Sequence, residues 1–109
     1  MIKKFYTLVI LSLFFINSYG QTYIIGDAAQ YSTCSGTFHD NGGQSNDYNN
    51  NQSRTTTFCP SNVGDQMTVT FNSFNLENNW DFLYVYNGNN VNSPLLGVYT
   101  GTTNPGTIT

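Results

Sequence analysis

Phe82-Leu83-Tyr84-Val85-Tyr86 runs into Asn87-Gly88-Asn89-Asn90 and, past Ser93-Pro94, into Leu95-Leu96-Gly97-Val98-Tyr99. Two short runs of aromatic and branched residues separated by Asn, Gly and Pro read as two strands joined by a turn, because Asn and Gly tolerate the backbone angles that a tight reversal demands. Side chains alternate across a strand, so Leu83 and Val85 belong to one face and Phe82, Tyr84 and Tyr86 to the other. Working outward, residues 66–72 alternate as well: Met67, Val69 and Phe71 point one way, Thr68, Thr70 and Asn72 the other. That is the pattern of a half-buried strand. Residues 55–58 and 23–25 are weaker strand candidates. No window after Gln21 places apolar residues at helical spacing, so the expected fold is all-β, an antiparallel β-sandwich.

The other end of the chain carries a different signal. Met1-Ile2-Lys3-Lys4 precedes an apolar run over residues 5–16 and then Asn17-Ser18-Tyr19-Gly20-Gln21. This charged, apolar, small-residue order is that of a secretory signal peptide over residues 1–20, with cleavage after Gly20. The apolar run is too short for a spanning helix, which needs about 20 residues. No Cys follows the cleavage point, which argues against a lipid anchor. The mature chain is therefore expected outside the cell or at its surface, with no membrane span once the signal is removed.

Losing the signal also removes Lys3 and Lys4 and leaves Arg54 as the one formal cation, against Asp27, Asp40, Asp47, Asp65, Glu77 and Asp81. So acidic a chain has nothing with which to neutralise phosphates, which excludes nucleic acid and anionic membranes as natural partners. A domain this small often needs a covalent or metal constraint. Cys34 and Cys59 offer one: in an exported chain two cysteines are most simply a disulfide. A nucleophilic Cys with His39 as its base fits the same residues less well. Between the cysteines, residues 40–53 are Asn, Gln, Ser, Asp and Gly with the lone aromatic Tyr48. This stretch is expected to be a long loop held at both ends rather than a free linker.

The motifs in order then resemble a known family. Phe71-Asn72-Ser73-Phe74-Asn75-Leu76-Glu77, Trp80-Asp81-Phe82-Leu83-Tyr84-Val85-Tyr86-Asn87-Gly88, Pro94-Leu95-Leu96-Gly97-Val98-Tyr99-Thr100-Gly101 and Asn104-Pro105-Gly106-Thr107-Ile108 are similar to the CUB domain. Cys34-Ser35-Gly36-Thr37-Phe38-His39-Asp40-Asn41-Gly42-Gly43 and Phe58-Cys59-Pro60 look like the bacterial branch of that family, found in exported adhesins and hydrolases. The likeness spans residues 34–109, leaving 21–33 as a leader and first strand. It implies a CUB-like jelly roll, incomplete here because the family pattern continues into further strands past a motif like that at residues 105–109.

The resemblance carries several site expectations. It pairs Cys34 with Cys59 and places Trp80 and Thr100 where the family has a second disulfide, with Trp80 filling the space of that bridge. It also matches Glu77 and Asp81 to the first two of three carboxylates that hold calcium in many members, the third lying past Thr109; hard oxygen donors are what calcium takes. Trp80, Phe82, Tyr84 and Tyr86 form a candidate binding surface, since aromatic side chains stack on sugars and anchor protein partners. For catalysis the chain offers no nucleophile elbow, no phosphate loop and one His in total. The expected function is a non-catalytic extracellular recognition module for a protein or a surface glycan, assisted by calcium. The alternative is an accessory domain of a secreted hydrolase whose active site lies elsewhere.

Overall fold

The computed structural model describes residues 20–109. The expected signal peptide falls outside the described residues apart from Gly20. Among the described residues eight strands follow one another: β1 (Thr22–Ile24), β2 (Gln30–Thr33), β3 (Thr37–His39), β4 (Thr57–Pro60), β5 (Val69–Thr70), β6 (Leu83–Tyr86), β7 (Leu95–Tyr99) and β8 (Thr107–Ile108). Among the described residues there is no helix, and so none long and apolar enough to cross a membrane. The chain is all-β.

The strands pair two by two: β1 with β3, β2 with β4, β5 with β8 and β6 with β7. The last is the expected hairpin, antiparallel with Leu83 opposite Tyr99 and Tyr84 opposite Val98. β5 and β8 are also antiparallel, Val69 facing Ile108, with the hydroxyls of Thr70 and Thr107 3.0 Å apart. The other two pairs run parallel, Tyr23 beside Phe38 and Tyr31 beside Phe58. This departs from the purely antiparallel expectation. Parallel pairing needs a connection of about a dozen residues or more for the chain to return in the same direction, and the segments joining β1 to β3 and β2 to β4 are long enough.

What joins the four ribbons is a run of aromatic rings. Tyr23 meets Tyr31 and Phe58 at centroid distances of 4.5 and 5.8 Å, and Phe58 meets Tyr31 at 5.7 Å and Phe38 at 5.5 Å. Phe38 then contacts Phe71 edge-on at 5.6 Å, Phe71 contacts Phe74, and Phe74 reaches Tyr99 of the hairpin at 6.5 Å. Tilted and edge-on pairs at these separations place positive ring edges against negative faces and add about 0.5–1.5 kcal/mol each beyond the area they bury. Phe58 sits at the branch of this chain. Tyr23 is the one hydrophobic side chain buried among the described residues, while Leu83 and Val85 turn, half-buried, toward an open cleft that Phe38, Met67, Val69 and Phe71 also line.

The expected alternation over residues 66–72 holds in exposure, with Met67, Val69 and Phe71 half-buried and Thr68, Thr70 and Asn72 exposed. Only Val69–Thr70 forms a strand there, opposite β8, and the Phe71 N–H extends the contact by donating to the Gly106 carbonyl at 3.0 Å.

Cys34 and Cys59, the pair that the resemblance would bridge, carry no bond between them in this structure. Cys59 lies opposite Ser32, and Cys34 sits at a bend just past the end of β2.

Candidate functional site

The segment after Leu76 folds back on itself within one turn. The Trp80 and Asp81 N–H groups both donate to the Glu77 carbonyl, at 3.1 and 3.0 Å, and Asn79 takes the left-handed conformation with φ of 64°. Asn is among the few residues other than Gly that tolerate this region. The reversal brings Glu77 and Asp81 onto one loop immediately ahead of β6.

Two hydroxyls then lock that loop. Thr100, at the end of β7, accepts from the Asn79 N–H at 3.0 Å and donates to the Asp81 carbonyl at 2.7 Å, while Leu76 N–H donates to the Gly101 carbonyl at 2.9 Å. Tyr48 arrives from the polar segment between the cysteines. Its hydroxyl donates to Asp81 Oδ2 at 2.5 Å and accepts from the Glu77 N–H at 3.1 Å. One phenol therefore ties a carboxylate and a backbone donor of the same turn, which anchors the 40–53 loop at its middle. The Asp81 carboxylate that takes its proton-mediated bond pushes the Tyr48 pKa above 10.0, the ordinary tyrosine value; the Glu77 N–H bond works in the opposite direction and is outweighed. Removing the phenolic proton would set two negative oxygens against each other.

This arrangement revises one site expectation. Trp80 does not fill the space of a second bridge: it projects from the turn and is 79% exposed. Thr100 ties the same two segments with hydrogen bonds instead. Gly101 makes the tie possible, since its φ is +67° and a Cβ there would lie 3.0 Å from Asn78 Oδ1. Tyr48 went unassigned as a site residue; its signal in the sequence was being the sole aromatic in a stretch with nothing else to bury.

The outer face of the hairpin begins where this loop ends. Phe82 and Tyr84 are 44% and 52% exposed with ring centroids 6.3 Å apart, and Val98, opposite Tyr84, is exposed beside them. Tyr86 is half-buried. Beside it lies a bulge: Val85 pairs with Gly97 but Tyr86 with Leu95, leaving Leu96 as an extra residue in β7 that raises the local twist. Gly97 has no side chain, and the Tyr99 ring lies across it on the inner face. Of the four aromatics expected on this surface, Trp80, Phe82 and Tyr84 are exposed and Tyr86 is half-buried.

As a calcium site the loop is partial. Calcium takes roughly six to eight oxygens. Glu77 and Asp81 supply carboxylates of the correct chemistry, Asp47 and Glu77 border the same shallow polar depression, and Asp81 already accepts from Tyr48. Among the described residues no three His, Cys, Asp or Glu side chains come together to hold a metal. The cation Arg54 is engaged too far from this loop to compete: its guanidinium lies 3.4 Å from Asp27 and donates to the Ile25 carbonyl.

Comparison with known proteins agrees with the order of these motifs. A model of the CUB domain matches residues 30–109. A curated relative, cubilin from the dog (Canis lupus familiaris), is 43% identical over 49 residues, which is 41% of this chain and 1% of cubilin. The chain thus spans about one hundredth of the length of that relative. No solved structure matches.

Proposed function

Because this chain belongs to the CUB domain family, whose members are extracellular, non-catalytic binding modules, we propose that it recognises a protein or surface glycan through the outer face of the β6–β7 hairpin. One observation carries the reading: Trp80, Phe82 and Tyr84 are exposed, Phe82 and Tyr84 with ring centroids 6.3 Å apart, along β6 and the entry loop that Tyr48 and Thr100 hold. Large aromatic side chains held in place lose little freedom on binding, so they supply contact area at low entropic cost. Central aromatic anchors of this kind account for at least about 2 kcal/mol each in protein interfaces.

Capture of ligands from surface extracts and glycan arrays tests the proposal, comparing the native chain with Phe82→Ser and Tyr84→Ser. Both variants keep the inward Leu83 and Val85 and should fold. A protein or glycan retained by the native chain should be lost, by roughly tenfold or more in affinity, from each variant. Equal retention by both variants would place the binding surface elsewhere.

Calcium assistance is part of the same proposal. Glu77 and Asp81 would contribute carboxylate oxygens, and the ion would stiffen the turn from which Trp80 projects. Titration calorimetry with calcium chloride tests it: heat of binding that disappears in Glu77→Ala supports the ion, and absence of heat in the native chain removes it.

A further inference from the structure

Two Asn-Gly dipeptides occur in this chain, Asn41-Gly42 and Asn87-Gly88. Both share an intrinsic reactivity, because a glycine without a side chain lets its backbone nitrogen approach the amide carbon of the preceding asparagine. The fold treats them in opposite ways.

Asn41 is held. Its Oδ1 accepts from the Asn49 N–H at 3.1 Å, and its Nδ2 is buried. The nitrogen that would attack, Gly42 N, donates to Asp40 Oδ1 at 2.8 Å. Asn87 is free. It is exposed in the hairpin loop, and among the described residues neither its side-chain amide nor the Gly88 N–H takes part in a hydrogen bond. The backbone around it is nonetheless positioned, since Asn87 N–H donates to the Pro94 carbonyl at 2.8 Å and Gly88 adopts a φ of +154°.

We infer that Asn87 is a site of spontaneous deamidation in the folded protein, whereas Asn41 is protected from the same reaction. Gly88 N loses its proton to base and attacks Asn87 Cγ; the new C–N bond forms as the amide nitrogen departs as ammonia, leaving a five-membered succinimide. Water then adds to either ring carbonyl and opens the ring. One product is aspartate, and the other is isoaspartate, which carries an extra methylene in the main chain. No oxidant, reductant or enzyme is involved. Either product places a negative charge directly after Tyr86, and isoaspartate also lengthens the backbone between β6 and its turn. An extracellular module, which is not renewed in place, would accumulate this change with age at the end of its hairpin.

Arg54, the only tryptic site between the two dipeptides, makes the test direct. The full chain is incubated at mildly alkaline pH, folded or in urea, then cut with trypsin, and tandem mass spectrometry follows amide-to-acid conversion on each side of Arg54. In urea the two dipeptides should convert at similar rates. In the folded chain Asn41 should convert about tenfold more slowly than Asn87, because Gly42 N–H must first give up its bond to Asp40. Asn87→Gln, with its fold checked by circular dichroism, should abolish the dominant conversion. The inference is overturned if Asn41 converts in the folded chain as fast as Asn87, or if Asn87 stays intact while the urea-unfolded chain converts.

Discussion

Replacing Tyr48 by Phe removes one oxygen and nothing else, and the structure assigns that oxygen two bonds: one to the Asp81 carboxylate, one from the Glu77 N–H. A bond to a charged acceptor contributes about 1.5–3 kcal/mol and a neutral one about 1 kcal/mol. Tyr48 is only half-buried, so water replaces part of both once the hydroxyl is gone. The expected cost of Tyr48→Phe is therefore about 1.5 kcal/mol, or roughly 6–12 °C in melting temperature for a domain of this size. Urea unfolding of the native chain, Tyr48→Phe, Asp81→Asn and the double variant isolates the pair. A coupling of about 1 kcal/mol between the two sites is expected. The same interaction has a pH signature. The Tyr48 pKa is raised in the fold, so its contribution is complete below the ordinary value of 10.0 and is lost as pH rises through the higher folded value. Native and Tyr48→Phe chains should therefore converge in stability above that point. A coupling below about 0.3 kcal/mol, together with parallel alkaline curves, would show that Tyr48 does not anchor the loop.

Other outcomes follow from the same geometry. Phe58→Ala removes the ring that meets Tyr23, Tyr31 and Phe38 and should cost about 3 kcal/mol in urea unfolding, whereas Phe58→Leu should cost roughly half as much. Gly101→Ala forces a Cβ into the left-handed region and against Asn78, so a loss of about 1–2 kcal/mol is expected by thermal melting; a neutral effect would mean the turn relaxes freely. Alkylation of the urea-unfolded, unreduced chain tests the Cys34–Cys59 bridge that the resemblance implies: neither cysteine labelled supports it, and both labelled removes it.

How far the sequence reached varied with the range of the interaction. The β6–β7 hairpin was legible because every determinant is local: alternating side chains, then Asn-Gly and Pro within eight residues. The parallel pairing of β1 with β3 and of β2 with β4 was not, since residues 30–33 and 37–39 are too short and polar to carry a period. Within the site, Glu77 and Asp81 were found by motif order. Tyr48 and Thr100 were missed in their roles because each acts on residues some twenty to thirty positions away.

The amino-acid order by itself determined the all-β character, the hairpin, the acidic surface and the CUB motif series, all of which follow from near-neighbour chemistry. Only the tertiary structure decided that Trp80 points outward, that Tyr86 is half-buried while Phe82 and Tyr84 are exposed, and that Leu96 bulges from β7. It also decided that a hydroxyl from each of two distant segments holds the Glu77–Asp81 turn. These outcomes depend on strand register, and a shift of one residue in register, which local sequence scarcely penalises, reverses which face every side chain presents.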